Sequence, residues 1–117
     1  MNIEELRDYC LSKPHVKEGF PFGEETLVFK VGQKMFALAG LESEDPYVNL
    51  KCNPEYAIEL REKFESVTPG YHMNKKHWNT VRLSQELSNR QIQHFINHSY
   101  ELVVKSLTKK VKIELGL

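Results

Sequence analysis

Cysteine is scarce in this chain. The two that occur, Cys10 and Cys52, belong to no Cys-x-x-Cys pair. Two free, mostly buried thiols are therefore expected, and no disulfide framework. Long apolar runs are also missing; none approaches the roughly twenty residues that cross a bilayer, so no membrane contact is expected. The opening residues Met1-Asn2-Ile3-Glu4-Glu5 are acidic and lack the basic and apolar regions of an export signal, which makes a cytoplasmic location the expectation. There is no phosphate-cradling glycine-rich loop and no dinucleotide fingerprint, so no cofactor is expected. Internal repeats, low-complexity tracts and linkers are absent too.

What is present is an ordinary globular composition, 40% hydrophobic and 27% charged, in 117 residues. That length suits one domain spanning 1–117, with a core that buries roughly two-thirds of the unfolded surface. The net charge is zero, but the charges are unevenly placed. Residues 1–65 carry thirteen acids against eight Lys and Arg, a balance of −5; residues 66–117 carry three against eight, a balance of +5. Two readings follow: a molecule with one basic patch, or two halves that attract each other within the fold.

Local patterns set the expected elements. Asn2 can cap a helix over 3–11, with Ile3, Leu6 and Cys10 on one stripe, and Pro14 stops it. Runs 26–31 and 34–39 flank Gly32-Gln33, which predicts a hairpin with a type II′ turn. Its simplest register sets Phe29 opposite Phe36 and Leu27 opposite Leu38 on one face, with Val28, Lys30, Met35 and Ala37 on the other. Phe20-Pro21-Phe22-Gly23 reads as a short strand or an irregular edge, and Gly40 to Pro46 as an acidic loop. Tyr47 to Cys52 alternates with Val48, Leu50 and Cys52 inward. Asn53-Pro54-Glu55 starts a helix expected to run to about Ser66, with Tyr56, Leu60 and Phe64 on its stripe. Trp78 to Leu83 alternates as a strand, with Trp78, Thr80 and Arg82 on one face. Ser88 and Gln91 form a capping box before a last helix that buries Ile92, Phe95, Ile96, Ser99, Val103 and Leu107. The basic tail 108–117 has no clear pattern. The expected fold is α+β, in the order α-β-β-β-α-β-α, with an antiparallel sheet covered by helices on one face and open on the other.

The most unusual segment runs from Pro69 to Thr80. No acid occurs between Ser66 and Gln85, while the window holds Lys75, Lys76, Arg82, His72, His77, Tyr71 and Trp78. Long polar loops are costly to order, and one rich in aromatic and basic groups often binds something. Lysines reach phosphates and aromatic rings stack on bases. Lys51, Tyr71, His72, Asn74, Lys75, Lys76, His77, Trp78, Thr80 and Arg82 are therefore the candidate nucleic-acid contacts. The plain alternative is a folded loop whose Tyr71 and Trp78 plug the core edge. His94 and His98 share a helix face but have no evident third ligand, so no metal site is expected. A Cys52 nucleophile served by His72 or His77 can be drawn, but the inward placement of Cys52 argues against an enzyme.

The chain resembles the MmcQ/YjbR family of small bacterial proteins. The match is carried by Phe20-Pro21-Phe22-Gly23, Val28-Phe29-Lys30-Val31, Lys34-Met35-Phe36-Ala37, Leu50-Lys51-Cys52-Asn53-Pro54-Glu55, Pro69-Gly70-Tyr71-His72-Met73-Asn74-Lys75-Lys76-His77-Trp78 and Ser99-Tyr100-Glu101-Leu102-Val103. Where the family often has an Asp-Gly-like turn, this chain has Ser84-Gln85-Glu86. The resemblance implies a CyaY-like (frataxin-like) fold and DNA binding, on the idea that the hairpins act as a double wing. A monomer is expected. The rival functions are a protein-interaction module and a small-anion or nucleotide pocket using the same loop.

Overall fold

In a computed structural model of the protein, which describes residues 1–41 and 44–117, the chain begins with the helix that its cap residue announces. The Asn2 side chain accepts from the Glu5 N–H at 2.7 Å, and the Glu5 carboxylate accepts from the Asn2 N–H at 3.2 Å. These reciprocal bonds satisfy donors that the first turn of α1 (Ile3–Leu11) would otherwise leave unpaired. Four strands follow: β1 (Val16–Gly19), β2 (Thr26–Val31), β3 (Lys34–Gly40) and β4 (Tyr47–Lys51). Positions 42 and 43 of the expected acidic loop lie outside the described residues. Asn53 then caps α2 (Pro54–Lys63), its side chain accepting from the Glu55 N–H at 3.0 Å. Two strands, β5 (Val67–Pro69) and β6 (Trp78–Arg82), precede α3 (Asn89–Ser106) and the short α4 (Lys109–Leu115). No helix among the described residues is long and apolar enough to cross a membrane.

The sheet is wholly antiparallel, in the order β1-β2-β3-β4-β6-β5. Leu6 and Cys10 of α1, Ala57 and Leu60 of α2, and Ile92, Phe95, Ile96 and Val103 of α3 pack on one face against Leu27, Phe29, Ala39, Val48, Leu50 and Val81. The α+β reading and the helix-backed face therefore hold. The order is corrected to α-β-β-β-β-α-β-β-α-α. β1 escaped notice because Val16-Lys17-Glu18-Gly19 is half charged. β5 is three residues long and ends in Pro69, which only an edge strand accepts. The strand lies before Phe20-Pro21-Phe22-Gly23, which is irregular. α2 ends at Lys63, and Phe64 is extended (φ −126°, ψ 126°) and only half-buried beside Phe95.

The β2–β3 hairpin differs from expectation in two linked ways. Gly32 and Gln33 both have positive φ, 56° and 68°, the pattern of a type I′ turn rather than II′. Gly32 also leaves room for Leu107, whose terminal methyls would stand 2.7 Å from an added Cβ. Beyond the turn, Val31 faces Lys34 and Lys30 faces Met35 as expected. The register then slips, so that Phe29 faces Ala37, Val28 faces Leu38 and Leu27 faces Ala39. Phe36 is thus an extra residue, a β-bulge. The slip sends Ala37 to the helix face and Leu38 to the open face, the reverse of the simple register. The buried Ser99 hydroxyl fills the resulting gap: it donates to the Phe36 carbonyl at 2.6 Å and accepts from the Lys51 N–H at 2.9 Å.

Two outcomes follow from α3. Ser99→Ala leaves a buried carbonyl and an N–H without their partner and should lower stability by about 1–3 kcal/mol in a denaturant titration. A loss under about 0.5 kcal/mol would mean that the strands close the gap themselves. One residue earlier, His98 Nε2 accepts from the Asn53 N–H at 3.1 Å, a bond that needs neutral imidazole. Burial, then the charge of His94, hold His98 below its usual 6.5. The folded state therefore binds fewer protons here than the unfolded chain. The His98 contribution is present above pH 6.5 and is lost as pH falls through the lowered value. The melting temperature should drop between pH 7.5 and 5.5, and His98→Gln should flatten that drop. An unchanged slope in the variant would show that His98 does not carry it.

Candidate functional site on the open sheet face

Strand alternation turns Val28, Lys30, Met35, Leu38, Asn49, Lys51, Trp78 and Thr80 away from the helices. Lys17 pairs with Lys30, Lys30 with Met35, and Lys51 with Trp78. Ala37 pairs with Leu50, so the Met35–Phe36 bulge stands beside Lys51. Lys17, Lys30, Met35, Lys51 and Trp78 thus form one row across five strands, roughly 19 Å long at the usual strand spacing. The opposite end of the sheet has another character. There Arg82 pairs with Tyr47 and lines a hollow of about 450 Å³ with Asp45, Glu65 and Glu86. The expected grouping of Arg82 with Lys75 and Lys76 is therefore corrected: Arg82 lies four residues along β6 from Trp78, among carboxylates.

The β5–β6 loop lies over the sheet and is held at several points. The Tyr71 N–H donates to Thr80 Oγ1 at 2.8 Å, the Thr80 hydroxyl donates to Asn49 Oδ1 at 2.5 Å, and Asn49 Nδ2 donates to the Tyr71 carbonyl at 3.2 Å. These three bonds close a ring that pins the loop to β4 and β6. From below, Arg61 of α2 donates to Asn79 Oδ1 at 2.7 Å, to the Trp78 carbonyl at 3.3 Å and to the Lys75 carbonyl. Gly70 admits the close approach of Trp78, whose carbonyl oxygen would stand 2.9 Å from an added Cβ.

These bonds assign the sequence candidates different tasks. The Lys75 ammonium donates to the Gly70 carbonyl at 3.0 Å, so it orders the loop from within. Asn74 Oδ1 accepts from the Lys76 N–H at 3.0 Å, and the His77 carbonyl accepts from the Cys52 N–H at 2.8 Å. Thr80 is buried and serves the pinning ring. Tyr71 and His72 remain exposed with ring centroids 3.9 Å apart, and His72 adopts a left-handed φ of 57°. Lys51 and Trp78 are half-buried neighbours on the sheet face.

Several site residues were absent from the sequence candidates. Lys17 was missed with its strand. Lys30 and Met35 had been placed on the open face by alternation but not joined to the loop. Phe22 reaches the face from the β1–β2 turn and, with Met35, Leu38, Tyr47, Tyr71, His72 and Met73, lines a hollow of about 390 Å³. Its aromatic exposure has no sequence signal beyond the Phe20-Pro21-Phe22-Gly23 cluster.

Cys10 and Cys52 are buried and free. Burial pushes the Cys52 thiol up to about 11 and that of Cys10 to about 12, the opposite of an activated nucleophile. His98 is occupied by the Asn53 N–H, and its ring meets Tyr56 edge-on at 5.1 Å. Among the described residues, no three His, Cys, Asp or Glu side chains gather as metal ligands would.

The comparisons with known proteins agree with this architecture. The chain is 39% identical over 107 residues to the YbdF protein of Escherichia coli O157:H7, covering 92% of this chain and 88% of that one. It is 34% identical over 110 residues to the YjbR protein of Escherichia coli K12, covering 94% and 93%. The crystal structure of Deinococcus radiodurans protein DR2400, of the domain family DUF419, superposes with a TM-score of 0.93 at 42% identity, covering 99% of this chain and 88% of that one. A crystal structure of a Pseudomonas syringae protein superposes with a TM-score of 0.76 at 31% identity, covering 87% and 98%. The YjbR family model matches residues 11–102, and the chain belongs to the YjbR family.

Proposed function

We propose that the protein binds nucleic acid on its open sheet face, as a cytoplasmic monomer that is not an enzyme. Lys17, Lys30 and Lys51 neutralise backbone phosphates, Lys76 extends the cationic edge, and Trp78 and Tyr71 supply aromatic contacts. The observation that carries this reading is the row Lys17–Lys30–Met35–Lys51–Trp78. Interleaved cations and flat apolar groups on a solvent-facing sheet match the needs of a charged, stackable strand. The carboxylates around Arg82 stand at the other end of the sheet, and Glu114 is the one acid that lines a hollow with Lys17 and Lys30. In this reading Lys75 shapes the site instead of touching the ligand. The helix-backed antiparallel sheet supports a CyaY-like, frataxin-like fold; likeness of fold brings no iron chemistry with it.

The test is a titration of a fluorescently labelled oligonucleotide at two salt concentrations. The parent should bind at low salt. Lys30→Gln with Lys51→Gln should weaken binding to many sequences alike and flatten the slope of log affinity against log salt by roughly 1.5–2 units, about 0.7 for each lost phosphate contact on a single strand and about 0.9 on a duplex. Arg82→Gln should leave both unchanged. Thermal melts of the variants must match the parent. Absence of binding by the parent, or an unaltered slope in the double variant, would remove this reading.

A further inference from the structure

The hollow on the open face adjoins the lysine row. Its floor is Leu38 and Asn49, one wall is Phe22, and the other is Tyr71, His72 and Met73. Phe22 is 64% exposed and Tyr71 58%, although burying a large ring is among the most favourable things a fold can do with it. The backbone that carries the Tyr71 ring is held on both sides, by Asn49 and Thr80. Leu38 gives the floor an apolar surface although it lies outside the helix-side core. Charge lies a short step away. Lys30 is two residues from Val28, the cross-strand partner of Leu38, and Lys51 is two residues from Asn49, so each cation is displaced by roughly 6.6 Å along its strand. A flat ring joined to a phosphate matches this arrangement: ring between Phe22 and Tyr71, phosphate at Lys30 and Lys51.

Resting on the nucleic-acid reading above, we infer that the hollow takes one unstacked nucleobase, so the ligand is single-stranded rather than duplex nucleic acid. A base inside a duplex presents only its edge and cannot enter a concave site without leaving the stack. An unpaired base enters freely and exchanges water for aromatic contact on both faces.

The experiment compares three ligands of equal length at one low salt concentration: a mixed-sequence single strand, the same sequence as a duplex, and an abasic sugar-phosphate strand. The single strand should bind the full chain at least about tenfold more tightly than either of the others. Phe22→Ala and Tyr71→Ala should each lose about tenfold on the base-bearing strand, the low end of a stacking contact, and nothing on the abasic strand. Tyr71→Phe should bind like the parent. Both positions are exposed, so the variants should melt with the parent. Equal affinity for all three ligands, with Tyr71→Ala unchanged, would overturn the base site and leave the phosphate row standing. A nucleoside monophosphate that bound as tightly as the strand would also overturn it, by making a free nucleotide the occupant. No binding to any ligand would sink both readings.

Discussion

Phe36 has no partner on β2, and the hydrogen bonds its neighbourhood gives up are made instead by a hydroxyl from the helix layer. Ser99 sits between the Phe36 carbonyl and the Lys51 N–H, fully buried, where one more ladder rung would otherwise lie. The arrangement lets the sheet keep an odd residue without stranding polar groups. It also puts Phe36 into the core, where its ring meets Tyr100 edge-on at 5.4 Å and Phe29 at 6.4 Å. Everything C-terminal in β3 then changes sides. Ala37 and Ala39 go under the helices, where small residues let α3 come close, and Leu38 goes to the open face with Val28 and Asn49. The floor of the open-face hollow is therefore a consequence of one inserted residue and one serine.

The charge pattern along the chain proved a poor guide to the charge pattern on the surface. Lys17, Lys30 and Lys51 all come from the acid-rich first half, while the acid-free window contributes Trp78 and the loop that covers the sheet. Arg82, from that window, ends among Asp45, Glu65 and Glu86. The ion pair of Arg7 with Glu18, at 2.7 Å, joins two residues of the first half and so does not draw the halves together. Strands sort side chains by face and by position along the strand, and neither coordinate follows from distance in sequence. Sorting by position sets Arg82 among carboxylates at one end of the sheet, while Lys17 and Lys30 share a hollow at the other end with Glu114 of α4.

What could be read in advance depended on how local its cause was. The caps at Asn2, Asn53 and Ser88 need only neighbours two or three residues away, and all three formed. The faces of Trp78, Asn79, Thr80, Val81 and Arg82 follow from period two in an unbroken strand, and they hold. The bulge was invisible because its compensation comes from Ser99, sixty-three positions away. The structural task of Lys75 was hidden for a similar reason: nothing in an acid-free loop shows that its ammonium will meet the Gly70 carbonyl. Arg61 gave no warning either. It reads as a cation in the last turn of α2, suited to the helix dipole, yet its guanidinium reaches β6 and the loop.

The order of the β5–β6 loop bears on how the open face can work. A segment with so many polar and charged groups would normally be mobile, and a mobile loop loses entropy when it closes on a ligand. Here that cost is met in folding. Arg61 fixes one end, the Asn49–Thr80–Tyr71 ring fixes the other, Lys75 ties the middle to Gly70, and the absence of a Gly70 side chain lets Trp78 close the base of the loop. The side chains of Asn74, Lys75 and Thr80, three of the expected contact residues, thus hold the loop. The remainder, Tyr71 and His72 above and Lys51 and Trp78 beside, stand in a fixed frame. Their main chain is held by hydrogen bonds, so a ligand meeting them would order little backbone.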